Sequence, residues 1–427
     1  MTGRPPRRRR VAVACQGGGT HAAFTWGVLD EILETTAAWD ADPAGGDTVE
    51  IAALSGTSAG ALCALAAWYG LVPNGADPSC GSHAAAVDRL DRLWTVFSAT
   101  TPAETLHNQL AAAALEMRSK GAPIPAGSPY GLPQRLAMRA LAAAGARPEY
   151  MGFEALLATV APHFADVDWR AVADGGPRLV VGAIEVLSGN VEAFDTDATL
   201  WEMGLREPPA SGGRGTNRWR IRRPLSLAGV AASGTLPEVL PAQAIEGMEF
   251  PTCAPDRTVT RTGHYWDGLY SQNPPVRELL DRDDPSAKPD EVWVIRINPQ
   301  EFQPESDQIG LDDIHDRVND LAGNLSLHQE LDHILTMNGW IERHGTEHPP
   351  LAGRKVVDVR TIKMTRETAW GLHHTTKIDR SRGHLEALRE EGRRVAAGWL
   401  ADWRRLGDAF DRYPEDARYP EPPADVL

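Results

Sequence analysis

Three short stretches of this chain hold residues whose types and spacing could do chemistry. The first is Gly56-Thr57-Ser58-Ala59-Gly60, preceded by the apolar run Ile51 to Leu54 and followed by the small, alanine-rich run Ala61 to Ala67. Strand, G-x-S-x-G and helix in that order match a nucleophile elbow, a sharp turn that holds a serine hydroxyl clear of the backbone. Gly56 and Gly60 suit it, because the turn strains the backbone and brings the helix close to the sheet. The plainer alternative is a tight β–α turn in which Ser58 only caps the helix. The second stretch, Gln16-Gly17-Gly18-Gly19-Thr20-His21-Ala22, follows the β-rich run Val11 to Cys15. Its bare glycines can present backbone N–H groups as an oxyanion hole for an ester carbonyl. Gly17-x-Gly19-x-x-Ala22 also satisfies the loose dinucleotide fingerprint, with Asp40 or Asp42 as the ribose-binding acid. The next strand ends in a serine turn and not in an acidic residue, which favours the oxyanion role. The third stretch is Trp266-Asp267-Gly268, at the end of the alternating run Thr258 to Tyr265.

A serine hydroxyl is a poor nucleophile until a neighbouring base takes its proton. Of thirteen histidines, His315, His328 and His333 fall in helical patterns, and His373 and His374, after Gly371, are the best histidine candidates. Asp267 stands at a strand end, where α/β folds place site residues. A carboxylate has an ordinary pKa of about 4, low for a base near neutral pH. Partial burial raises it, and a direct Ser–Asp contact compensates by geometry.

The elements that must position these groups are legible in outline. Val11 to Cys15, the elbow strand, Leu179 to Val186 and Val292 to Ile297 read as strands, and Val356 to Ile362 as an outer one. Ser188-Gly189-Asn190 turns Leu179 to Val186 back into Val191 to Phe194 as a hairpin. Residues 83 to about 160 read as a helical insertion broken by Pro102, Pro123, Pro125, Pro129 and Pro133, serving either as a cap over the cleft or as plain outer-layer helices. Arg206 to Arg223 reads as a surface loop, Leu225 to Ala232 as a helix, and Ile314 to Ile341 as a helix broken near Gly323. A long amphipathic helix from Ser381, carrying Leu385, Leu388, Val395, Trp399, Leu400 and Trp403, closes the domain. Trp94, Trp399 and Trp403 fall in helical patterns and read as core.

The 427 residues, 42% of them hydrophobic, supply ample core, and no apolar run is long enough to span a bilayer. The net charge of -15 argues against a nucleic-acid partner. Cys15, Cys63, Cys80 and Cys253 lie far apart without a C-x-x-C pair, so neither a zinc site nor a disulfide framework is expected, and a reducing, cytoplasmic compartment is. No metal or other cofactor is called for. The basic N-terminus, Arg4 to Arg10, lacks the apolar region of a signal peptide and reads through residue 9 as a solvated tail able to touch anionic surfaces. A single domain over 10–408 and a loose tail over 409–427 complete the expected organisation.

The ordered set formed by Gln16 to Thr20, the elbow at Ser58 and Asp267-Gly268 resembles the patatin-like phospholipase family. About forty residues separate loop from elbow and roughly two hundred separate elbow from aspartate. Ala231-Ala232-Ser233-Gly234-Thr235-Leu236-Pro237 is similar to that family's small-residue block, and the segments around Asn319 to Leu331 and Asp379 to Leu400 are similar to its bacterial members. The resemblance covers roughly residues 9 to 405. It implies a three-layer α/β/α fold with a mostly parallel central sheet and a serine–aspartate dyad without histidine. Ser58 would be the nucleophile, Asp267 the base, and Gly17, Gly18 and Gly19 the oxyanion hole. The implied activity is hydrolysis of phospholipid or other acyl esters, with transient contact to a membrane surface. The family's loop usually continues with a basic residue and glycine, where this chain has His21 and Ala22; its aspartate is usually followed by Gly-Gly or Gly-Ala, where this chain has Gly268-Leu269. The rivals are an α/β-hydrolase with a Ser-His-Asp triad, a dinucleotide-binding module using the Gly17–Gly19 loop, and a catalytically silent scaffold of the same fold.

Overall fold

A computed structural model describes residues 6–42, 46–124, 128–208, 220–237, 239–252, 257–282, 284–299 and 310–418. Its centre is a nine-stranded sheet. The strands are β1 (Arg8–Cys15), β2 (Thr48–Gly56), β3 (Arg178–Glu185), β4 (Val191–Asp195), β5 (Arg220–Pro224), β6 (Gln243–Pro251), β7 (Thr258–Asp267), β8 (Glu291–Arg296) and β9 (Asp358–Lys363). The main path runs β5-β4-β3-β2-β1-β8-β9, with β7 pairing β3 and β6 off it. From β3 through β2, β1 and β8 to β9 every pair is parallel.

Both faces of that parallel core are covered, and its strands alternate between two apolar clusters. On β1, Val11, Val13 and Cys15 face one cluster and Ala12 and Ala14 the other; on β8, Trp293 and Ile295 oppose Val292 and Val294. Such near-continuous apolar strands are what a sheet buried on both sides requires. The fold is therefore a three-layer α/β/α sandwich with a mostly parallel central sheet.

On the first face lie α1 (Ala23–Ala41), α2 (Ala59–Leu71) and α3 (His83–Phe97). Next come α4 (Pro102–Ser119), α5 (Leu132–Ala143), α6 (Pro148–Met151), α7 (Phe153–Val160) and α8 (Trp169–Ala173), then α9 (Thr196–Glu202) and α10 (Leu227–Ser233). The chain ends with α11 (Leu311–His344), α12 (Arg366–Trp370) and α13 (Arg382–Leu406), the last packed along α1. Leu327, Leu331 and Ile334 of α11 belong to the cluster on the opposite face.

The 83–160 section divides. α3 joins the outer layer, where Trp94 stacks on Trp26 with ring centroids 6.0 Å apart, and α7 contributes Leu156, Leu157 and Val160 to the core. Only α4 and α5 stand outward, with Leu106, Leu110, Leu132 and Leu136 exposed. Pro102, Pro133 and Pro148 sit in the first turns of α4, α5 and α6, where a missing N–H costs nothing.

Four expectations need correction. Arg8 and Arg9 are not a solvated tail: β1 begins at Arg8, and the buried Arg9 pairs with Glu291 at 2.7 Å, Asp408 at 2.6 Å and Asp47 at 3.0 Å. Part of the Arg206–Arg223 loop is strand β5, whose Arg220, Arg222 and Arg223 hold Glu278, Asp281 and Glu192; residues 209–219 lie outside the described residues. Residues 409–418 are not loose. β9 is the sheet edge, and its unpaired backbone groups recruit them: Tyr413 N–H donates to the Val359 carbonyl at 2.9 Å, and Thr361 N–H to Asp416 at 2.6 Å. Residues 419–427 lie outside the described residues. Finally, α11 runs unbroken through Gly323, whose missing Cβ makes room for the Leu269 and Asn273 side chains; a Cβ there would come within 2.7 Å of each.

Candidate active site

β3 is the template on which the site is assembled. β2 runs along its first half in parallel and ends with Gly56 opposite Val181. β7 arrives antiparallel along the second half of the same strand and ends with Asp267 opposite Ala183. The turn after Gly56 and the end of β7 therefore meet beside Gly182. This crossing admits no side chains: a Cβ on Gly268 would lie 2.3 Å from the Gly182 carbonyl oxygen and 3.0 Å from the Thr57 methyl.

Ser58 has φ 55° and ψ -131°, and it is the one non-glycine residue with positive φ among those described. That is the strained backbone of an elbow, held because everything around it is fixed. Gly56 and Gly60 serve by size: a Cβ on Gly60 would lie 2.3 Å from the Cys15 carbonyl oxygen, and one on Gly56 would lie 2.4 Å from the Gly60 carbonyl oxygen. Gly60→Ala should accordingly cost about 1–3 kcal/mol of stability, read as a lower midpoint in urea denaturation; an unchanged midpoint would show that the helix can retreat from β1.

The Ser58 N–H donates to the buried Ser233 Oγ at 3.0 Å, so the hydroxyl of Ser58 makes no helix cap. The turn after α10 also holds Asp267, whose N–H donates to the Thr235 carbonyl at 2.9 Å. Asp267 is 2% exposed and accepts from Leu269 N–H at 2.8 Å, with the Ser58 hydroxyl as its side-chain partner. Burial pushes its pKa up to about 7; the Ser58 hydroxyl and the Leu269 N–H pull the other way without offsetting it. Such a carboxylate is poised to exchange a proton near neutral pH.

The glycine loop lies against the elbow, where a Cβ on Gly17 would come within 2.7 Å of the Ser58 Cβ. Its three amides are not equivalent. Gly17 is buried and its N–H donates to Asn273 Oδ1 at 2.7 Å. Gly18 and Gly19, like Ser58, are partly open to solvent, and among the described residues neither amide has an acceptor. Gln16 fixes the loop from behind, accepting from Ile297 and Asn298 N–H and donating to Asn324. The segment after Asp267 closes the assembly: Thr57 Oγ1 donates to the Gln272 carbonyl at 2.5 Å, and Asn273 holds Gly17. Asn273 and Gly182 carry no motif in sequence; Gln16 heads the glycine stretch and Ser233 lies in the small-residue block, but nothing in the sequence marks either as a support of the site.

The histidine candidates are elsewhere engaged. His374 pairs with Asp313 at 2.9 Å and Ser119 at 3.0 Å, His373 is exposed, and neither Ser58 nor Asp267 has a histidine partner among the described residues. His21 is buried against Thr376 Oγ1 at 2.7 Å. Burial, with Lys377 nearby, holds its pKa well below the usual histidine range, so it packs as a neutral ring. The dinucleotide arrangement loses its acid. Asp40 and Asp42 lie at the far end of α1, beside Arg8 at the start of β1, while the glycine loop follows the other end of that eight-residue strand, about 26 Å away at strand rise.

A loop with two open amides, a strained serine and a buried aspartate can bind an acyl carbonyl, attack it and move one proton. No protein-family model and no curated protein matches the chain.

Proposed function

We propose that the protein is a serine acyl hydrolase that cleaves carboxylic esters, with lipid esters as its substrate class. The observation that carries this is the placement of a buried aspartate, its pKa raised to about 7, beside a strained serine against which the glycine loop packs, with the Gly18 and Gly19 amides unengaged among the described residues. Asp267 takes the proton as Ser58 Oγ attacks the ester carbonyl carbon. Gly18 and Gly19 N–H hold the oxyanion, which gains most where water is excluded. Collapse of the tetrahedral intermediate breaks the ester C–O bond, and Asp267 passes its proton to the leaving alcohol. Asp267 then takes a proton from water as the water oxygen attacks the acyl-enzyme carbonyl. Collapse of this second intermediate breaks the bond from the acyl carbon to Ser58 Oγ, Asp267 returns the proton to Ser58 Oγ, and the carboxylic acid leaves. The same residues carry the resemblance to patatin-like phospholipases, which supports the dyad.

A fluorophosphonate probe tests it directly. One equivalent should react covalently, and peptide mass mapping should place the adduct on Ser58. A chain left unlabelled under conditions that label a control esterase would remove the proposal and favour a silent scaffold.

A further inference from the structure

The first half of α11 is amphipathic in the inverted sense. Its polar residues face the protein: Asp312 pairs with Arg118 at 2.6 Å, and Asp316 and Asp320 each hold Lys377 at 2.7 Å. Its apolar residues face outward. Leu311, Ile314, Val318, Leu321 and Leu325 recur at spacings of three and four, which puts them on one stripe, and Leu311 is 67% exposed and Leu325 59%. From Leu327 onward the helix reverts to the ordinary sense, with Leu327, Leu331 and Ile334 buried. A surface helix of a globular protein has its apolar stripe turned inward, so the reversal is confined to the half that adjoins the site.

That adjacency is specific. Leu269, two residues after Asp267, packs against Gly323, and Lys377 brings its carbonyl oxygen against Gly19 of the glycine loop while its amine pairs with α11. α4 meets the start of α11 through Arg118–Asp312 and adds exposed Leu106, Leu110 and Met117; α5 adds Leu132 and Leu136. Beside these lie Arg135 and Arg139, both exposed and without an acidic partner among the described residues, in a chain of net charge -15.

We infer that this face docks on a lipid surface carrying anionic headgroups and presents the Ser58 site to it. The exposed apolar side chains of α11, α4 and α5, with Arg135 and Arg139 exposed on α5, match a bilayer interface, where apolar side chains enter the acyl boundary and cations meet lipid phosphates. Two copies joined through the same face would bring like charges together. Delivery of substrate rests on the ester-hydrolase proposal; the docking itself does not.

Vesicle flotation needs no turnover and separates the two. Wild type should float with phosphatidylcholine vesicles containing phosphatidylglycerol and less with phosphatidylcholine alone. Val318→Glu with Leu325→Glu should weaken partition at least about tenfold. Arg135→Glu with Arg139→Glu should remove most of the preference for the anionic vesicles. Both should leave hydrolysis of a soluble short-chain nitrophenyl ester within about twofold, since neither touches the site; loss of that hydrolysis in wild type would count against the function alone. Should the glutamates lower the melting midpoint, Val318→Gln with Leu325→Gln decides instead. Wild type that floats with neither vesicle, a double variant that floats like wild type, or a wild-type dimer that the double variant converts to monomer would overturn the inference.

Discussion

Ser58→Ala should lower kcat on a nitrophenyl ester by about 10⁴-fold or more, as removal of a covalent nucleophile does in other serine enzymes. KM should change little, because the alanine leaves the glycine loop and the cleft in place. The fold should survive equally well. The structural bond at this position runs from the Ser58 N–H to Ser233 Oγ, and alanine retains that N–H. A near-native circular dichroism spectrum and melting midpoint, together with loss of turnover and of fluorophosphonate labelling, is the expected set. Turnover within tenfold of wild type would show that the elbow is only a turn.

Asp267→Asn should separate activity from stability. Asparagine keeps the shape and can still accept the Leu269 N–H, but it cannot take the serine proton, so kcat should fall about 10²–10⁴-fold. In wild type, kcat/KM should rise with pH through about 7 and then level off, because the base works only when ionised. The remaining activity of the asparagine variant should lack that rise. For stability the sign is opposite. Burial raises the folded pKa from its ordinary value near 4 to about 7, so the folded state holds a proton that the unfolded chain releases. Stability is thus lost as pH rises across that window, by on the order of 4 kcal/mol for this group when complete. Asp267→Asn removes the charged form and should melt higher than wild type at pH 8, with the difference shrinking towards pH 5. A variant that melts lower than wild type at pH 8 would mean that the carboxylate is stabilised by groups other than Ser58 and Leu269.

The amino-acid sequence by itself determined the local pieces. Short apolar runs specify β1, β2 and β8, and the Gly56–Gly60 pattern specifies a turn that only small residues fit, because its Cβ positions fall on backbone atoms of β1 and α2. Glycine loop, serine turn and Asp267 could each be picked out because short-range sterics leave a mark on composition. Charge was less legible. Arg8, Arg9, Arg220, Arg222 and Arg223 read as solvated, whereas the fold gives Arg9 and Arg223 buried carboxylate partners hundreds or tens of residues away. Gly323 read as a helix break because local propensity says nothing about what packs on a helix.

Tertiary structure alone decided which groups meet. That β2 and β7 share one edge of β3, from opposite directions, sets Ser58 beside Asp267, and no pattern within either strand encodes a pairing so distant in sequence. The same packing spends the Gly17 amide on Asn273 and leaves Gly18 and Gly19 open, and it removes Asp267 from water so that its proton affinity rises to near neutrality. The proton affinity of Asp267 is a property of burial and of partners, and those exist only once the chain has folded.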